Sequence, residues 1–194
     1  NHSDNERRLR NDHVRALGKQ ESYSTSSGLV SRQSGGITAF VEGCCGPKSV
    51  LSARAQEEGL VSIRMTSETH FLSSKEGDRK AQEDIENLIS QGHKVHLWGS
   101  VPCRPWCRWH SINWRRIGPK YRAKILHDRV KSIEIVKSFF GLVDIVVQSG
   151  GTWSFEWPNH NYGWSNEEIR KVLDARDHVE ATFDGRKLGV ISQK

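Results

Sequence analysis

From residue 37 onward, strand-like stretches alternate with stretches of helical period, and this alternation restricts the chain to a sheet carrying helices on its faces. "ITAFVEGCC" reads as the first strand, entered after "SGG" and left through "GPKS". "SVLSARAQEEG" follows as a helix, with Ser49 placed to cap its start and Gly59 to stop it. "LVSIRMT" is a second strand with Val61, Ile63 and Met65 on one face, and "KEGDRKAQEDIENLISQG" an amphipathic helix that turns Ile85, Leu88 and Ile89 inward before Gly92. "KVHLWGSVP" supplies the third strand. "KYRAKILHDRVKSIEIVKSFFG" then gives about six turns of helix with an inward stripe of Ile125, Val130, Ile133, Val136 and Phe140. The apolar run "LVDIVVQSG" predicts a central strand covered on both sides. "FEWP" marks a strand end or loop, "SNEEIRKVLDARD" a helix capped by Ser165, and "HVEATFDG" with "KLGVIS" two closing strands around "DGRK". The fold class that follows is α/β: a three-layer, doubly wound, Rossmann-like sheet with helices on both faces.

Residues 1–36 stand apart from this pattern. They are rich in Ser, Gly, Asn, Arg and charge, and they read as a flexible polar arm with a short helix around "DHVRALGKQ", ahead of an α/β domain over 37–194. The chain opens at Asn1 and closes soon after "FDGRKLGVISQK", so a fragment of a larger polypeptide, a minimal enzyme and a degenerate binding domain are all open expectations. At 194 residues it can bury a core without disulfide staples. Four cysteines, two of them adjacent (Cys44 and Cys45), and no secretory leader point to a reduced, intracellular protein. No run of about 18 apolar residues exists to form a membrane helix. Lys and Arg total 29 against 23 Asp and Glu, a formal charge of +6 that favours a polyanionic partner such as nucleic acid.

Doubly wound sheets bind ligands beyond the carboxyl ends of their strands, where three loops of this chain carry reactive groups. In "FVEGCCGPKSVL", an acid (Glu42) precedes a small-residue turn of Cys45, Gly46, Pro47 and Ser49 that leads into a helix. This resembles the first motif of S-adenosylmethionine-dependent methyltransferases, with Cys44 standing where the family has its first glycine and Lys48 where another often lies. In "GSVPCRPWC", the "SVPC" resembles the motif of DNA cytosine-5 methyltransferases in which cysteine attacks carbon 6 of the base; Arg104 stands where that family has glutamine. The resemblance makes Cys103 the nucleophile. The surrounding Arg104, Arg108, Arg115 and Arg116 offer phosphate contacts, and Trp106, Trp109 and Trp114 offer stacking surfaces. In "VDIVVQSGGTWSFEWPNHNYGW", a glutamate beside a proline resembles the acid of the same family that grips the pyrimidine edge, which assigns that role to Glu156.

The resemblance spans residues 37–190, although only the three loops carry specific matches. It implies S-adenosylmethionine as cofactor, held by Glu42, Cys45, Gly46, Pro47, Ser49 and Glu68, the last standing shortly after "IRMT" where an acid closing the second strand is expected. It further implies methyl transfer to nucleic acid, DNA ahead of RNA, with cytosine carbon 5 the most concrete target. The family's target-recognition region and final cofactor motif have no counterpart here. Two other readings stay open: an inactive nucleic-acid-binding module that keeps the fold, and a zinc-stabilised interaction domain using Cys103, Cys107 and His110 with Cys44 or Cys45.

Overall fold

The structure, a computed structural model, describes residues 36–184. The strands β1 (Ala39–Gly43), β2 (Val61–Met65), β3 (Val95–Gly99) and β4 (Thr152–Phe155) form one parallel sheet in the order β2-β1-β3-β4. Between them run α1 (Val50–Glu57), α2 (Lys75–Ser90), α3 (Trp109–Arg116), α4 (Pro119–Gln148) and, after β4, α5 (Glu167–Asp174). The expected α/β class and Rossmann-like sheet are therefore what this chain forms.

Helices cover both faces, and two neighbouring residues of β1 show how. The Glu42 side chain bonds into the start of α1, whereas a Cβ on Gly43 would lie 3.3 Å from the Phe139 ring of α4. Successive strand residues point to opposite faces, so α1 lies on one side of the sheet and α4 on the other. On the α4 side, α2 packs beside it through Ile85 and Leu88, and Ser138 of α4 hydrogen-bonds Asp78 of α2. The core of Val41, Met65, Leu97, Val136, Phe139 and Phe140 lies between these layers, each fully buried.

Register decides where the loops emerge. Gly43 pairs with Met65 on one side and Gly99 on the other, and Gly99 pairs with Phe155, so the four carboxyl ends stand in one row. The chain leaves β1 for β2 in one direction and then crosses to β3 in the other. The switch point accordingly lies between β1 and β3.

Four expectations change. "LVDIVVQSG" is not a strand but the last turns of α4, a helix of 30 residues and about 45 Å. Leu142, Val143 and Val146 are buried at helical spacing while Val147 is turned out, and a short apolar run cannot distinguish a buried helix from a central strand. Gly150, at φ +82°, ends the helix, and the strand moves to Thr152–Phe155. In the same helix Val130 is exposed, because among the described residues no element covers it. Asn166, not Ser165, caps α5, its side chain accepting from the Ile169 amide. "HVEATFDG" forms no strand over 178–184. The arm expected over 1–36, with its short helix, and the strand "KLGVIS" lie outside the described residues, Gly36 excepted.

Candidate active site

Three strand ends are laced together at the carboxyl edge. The Ser100 amide donates to the Gly43 carbonyl (3.0 Å) across the switch point, and the Glu156 amide donates to the Gly99 carbonyl (3.0 Å). These bonds carry the ladder one residue beyond the strands, so the segments bearing Cys103 and Glu156 leave the sheet side by side.

Both residues line one cleft of about 960 Å³. Its walls include Trp98, Ser100, Trp164 and Arg170, and the chain from Asp177 to Phe183 runs along it. The floor beneath Cys103 is held from several directions. Trp157 is buried and its indole N–H donates to the Val101 carbonyl (2.6 Å), while the Asn161 side-chain amide donates to the Cys103 carbonyl (3.0 Å). Cys103 itself is half-buried at the start of a short 3-10 turn, Arg104–Trp106.

Glu156 is exposed yet oriented. The Trp98 indole N–H donates to the Ser100 hydroxyl (3.1 Å), which donates to one Glu156 carboxylate oxygen (3.2 Å). That relay ties one carboxylate oxygen down. Sequence reasoning passed over Trp98, Ser100 and Asn161; the sole signal for Ser100 was its place in the "GSVPC" turn.

The turn after β1 is different. Glu42 is 3% exposed, and its carboxylate accepts from the Ser49 hydroxyl (2.6 Å), the Ser52 hydroxyl (2.5 Å) and the Ser52 amide (3.2 Å). It holds the first turn of α1, where a carboxylate is favoured, and has no spare face for a ligand. Ser49 donates to Glu42 and accepts from no helix amide, so its side chain does not cap α1 as expected. Cys45 is buried, with its thiol directed at the Glu42 carbonyl (3.4 Å). Gly46 and Pro47 remain exposed, with open space where a Cβ on Gly46 would stand. Cys44 adopts φ 60°, so this turn keeps the left-handed shape a glycine takes naturally although the residue is cysteine. Glu68 is exposed in a turn closed by Thr66, which accepts its amide at 3.2 Å. Gly46, Pro47 and Glu68 thus stay exposed to solvent, whereas Glu42, Ser49 and Cys45 are committed to the fold. None of the six lines the cleft of Cys103 and Glu156.

Two consequences are measurable. Glu42→Gln is expected to cost about 1–3 kcal/mol, because an amide cannot accept from all three donors. A lowered denaturant midpoint at unchanged slope would register that loss. The thiols should also separate by reactivity. Burial pushes the Cys44 pKa up to about 12 and raises that of Cys45, where Glu42 adds to the effect. Thiolate forms only as pH approaches the pKa, so at about pH 8 both resist alkylation. Peptide mass spectrometry after brief iodoacetamide treatment should find Cys103 and Cys107 modified first.

Of the expected substrate contacts, Arg104, Arg108, Arg115, Arg116 and Trp109 are exposed, Trp109 at 69%. Trp106 is not available for stacking. It is 4% exposed, donates to the Ser132 hydroxyl (2.9 Å) and carries the Arg129 guanidinium over its ring. Its spacing in the sequence could not distinguish it from its exposed neighbours, because it is α4 that covers it. His110 is also turned inward, bonded through Nδ1 to the Tyr121 hydroxyl (2.5 Å) and through Nε2 to the Arg104 carbonyl (2.7 Å). With both nitrogens engaged it does not serve the zinc arrangement. Among the described residues no three His, Cys, Asp or Glu side chains are grouped to hold a metal ion, and no helix is long and apolar enough to cross a membrane.

No protein-family model, curated protein or solved structure matches this chain. The chemistry therefore rests on these residues and their placement.

Proposed function

We propose that the chain is a nucleic-acid methyltransferase acting on cytosine carbon 5. The observation that carries this reading is the meeting of Cys103 and Glu156 in one cleft, at the carboxyl ends of adjacent parallel strands beside the switch point of a Rossmann-like sheet. The exposed arginines and Trp109 beyond Cys103 suit a phosphate-bearing, base-stacking substrate.

In this mechanism the Cys103 thiolate forms a bond to carbon 6 of the base, and the electron pair of the 5,6 double bond moves toward carbon 5. Glu156 holds a proton at nitrogen 3, which makes carbon 6 electrophilic, and the Ser100 hydroxyl keeps that carboxyl in place. S-adenosylmethionine, when bound, would supply an electrophilic methyl group, and the exposed Gly46, Pro47 and Glu68 would be the residues that hold it. Release reverses the addition: the carbon 5 proton passes to a water molecule, the electron pair of that bond re-forms the 5,6 double bond, and the sulfur leaves as thiolate. The attack needs a base outside a duplex stack, flipped or already single-stranded.

A second reading, a nucleic-acid-binding module without transfer, is favoured by the three internal donors that occupy Glu42. Titration calorimetry with S-adenosylmethionine, followed by transfer of a labelled methyl group to cytosine-containing oligonucleotides, tests both. Binding and transfer support the methyltransferase. A folded protein that binds oligonucleotide but not cofactor at millimolar concentration would replace it with the binding module.

A further inference from the structure

We infer that a second concavity, whose Tyr162 wall shares a 3-10 turn with Trp164 of the cleft, is a nucleotide subsite that takes the base and phosphate of a residue flanking the one presented to Cys103 in single-stranded nucleic acid. The inference rests on the reading of the cleft as a nucleic-acid site. The concavity measures about 330 Å³ and is lined by His110, Ser111, Trp114 and Arg115 of α3, Arg129 of α4 and Tyr162 of the 3-10 turn after β4. Its volume is at the lower end of small-ligand sites, suited to a single nucleotide and too small for a duplex groove contact.

The lining has one chemical character. Two guanidiniums and two aromatic rings face it and no carboxylate does, which selects for a phosphate joined to a flat π system. Tyr162 is 40% exposed, and the Arg108 guanidinium lies over one face of its ring, 5.8 Å from the centre, which leaves the other face for a base. Arg129 is already immobilised. Its Nε donates to the Pro105 carbonyl (3.1 Å) and its guanidinium rests 5.1 Å from the centre of the Trp106 ring, so little side-chain entropy is lost when it meets a phosphate. The His110 wall is fixed by the bonds of both ring nitrogens.

Hydrogen bonds connect this concavity to the nucleophile. Tyr162 follows Asn161, whose amide holds the Cys103 carbonyl, and His110 holds the carbonyl of Arg104, the residue after Cys103. One wall of the subsite, His110, is thus bonded to the loop that presents the thiol, and Tyr162 directly follows a residue that is. A strand with one base in the cleft would bring its neighbour to Tyr162 and Trp114, and stacking on those rings requires an unstacked, single-stranded base.

Fluorescence anisotropy of the full chain with labelled oligodeoxycytidine and oligocytidine of about 12 nucleotides tests this. Tyr162→Ala is expected to weaken binding roughly 5- to 100-fold, and Arg115→Gln to reduce the slope of log affinity against log salt by about 1. Unchanged melting temperatures in both variants would confirm that the folded state is compared. The stronger-binding oligonucleotide identifies the sugar preferred. Parent affinity and parent salt slope in both variants would overturn the subsite. Loss of binding in the variants, in a protein that shows no methyl transfer, would keep the subsite and remove only the enzyme.

Discussion

Cys103→Ser is expected to lower methyl transfer to a cytosine-containing oligonucleotide by roughly four orders of magnitude or more, since a serine hydroxyl is a far weaker nucleophile toward carbon 6 than a thiolate. The fold should barely register the change. Cys103 is half-buried, and the bond that fixes its position runs through its backbone carbonyl to Asn161, which the substitution leaves in place. A stability change of about 1 kcal/mol or less is expected. An oligonucleotide carrying 5-fluorocytosine should trap the parent as a covalent adduct, because the fluorine prevents the final loss from carbon 5, and the serine variant should form none. Parent-level transfer by Cys103→Ser would eliminate the covalent mechanism. Methylation of an amino or hydroxyl group would then be the enzyme reading that survives.

The largest stability effect is expected at Phe139. Its ring is fully buried beneath the ends of β1 and β3, at the point where Gly43 and Gly99 bring two backbones close to α4. It meets Phe140 edge-on at 5.3 Å and Phe155 at 5.9 Å. Phe139→Ala should therefore cost about 3–5 kcal/mol, the transfer term plus a cavity that the flanking strands cannot fill. The converse change identifies the fit as mutual. A Cβ on Gly99 runs into the Phe139 ring, so Gly99→Ala should cost about 1–3 kcal/mol by overpacking, and combining it with Phe139→Leu should cost less than the two changes summed. Denaturant midpoints of the four proteins measure this coupling. Strict additivity would show that the ring and the strand end do not press on each other. Because Gly99 leads directly into the segment carrying Ser100 and Cys103, weakened packing here should also loosen the cleft.

Most elements could be located in the sequence because their signals are local. Gly59 and Gly92 adopt φ of 79° and 81° just after the helices they were expected to stop, and Ile85 and Leu88 are buried at the helical spacing that singled them out. "LVDIVVQSG" failed for a physical reason. A short apolar run does not separate a helix buried on one face from a strand, and the deciding contacts come from elements far along the chain. Trp106 and Trp109 show the same limit within four residues, since one is covered by α4 and the other is not.

The sequence alone determined an alternating α/β chain, the order of its three polar loops, and the cysteine and glutamate that two of them carry. Whether those groups meet depends on register and strand order, which no local pattern encodes. Tertiary structure placed Cys103 and Glu156 in one cleft because β3 and β4 are parallel neighbours ending in the same row. It also committed Glu42 to the helix that follows it: once buried, a carboxylate must be supplied with donors, and Ser49 and Ser52 are the ones within reach.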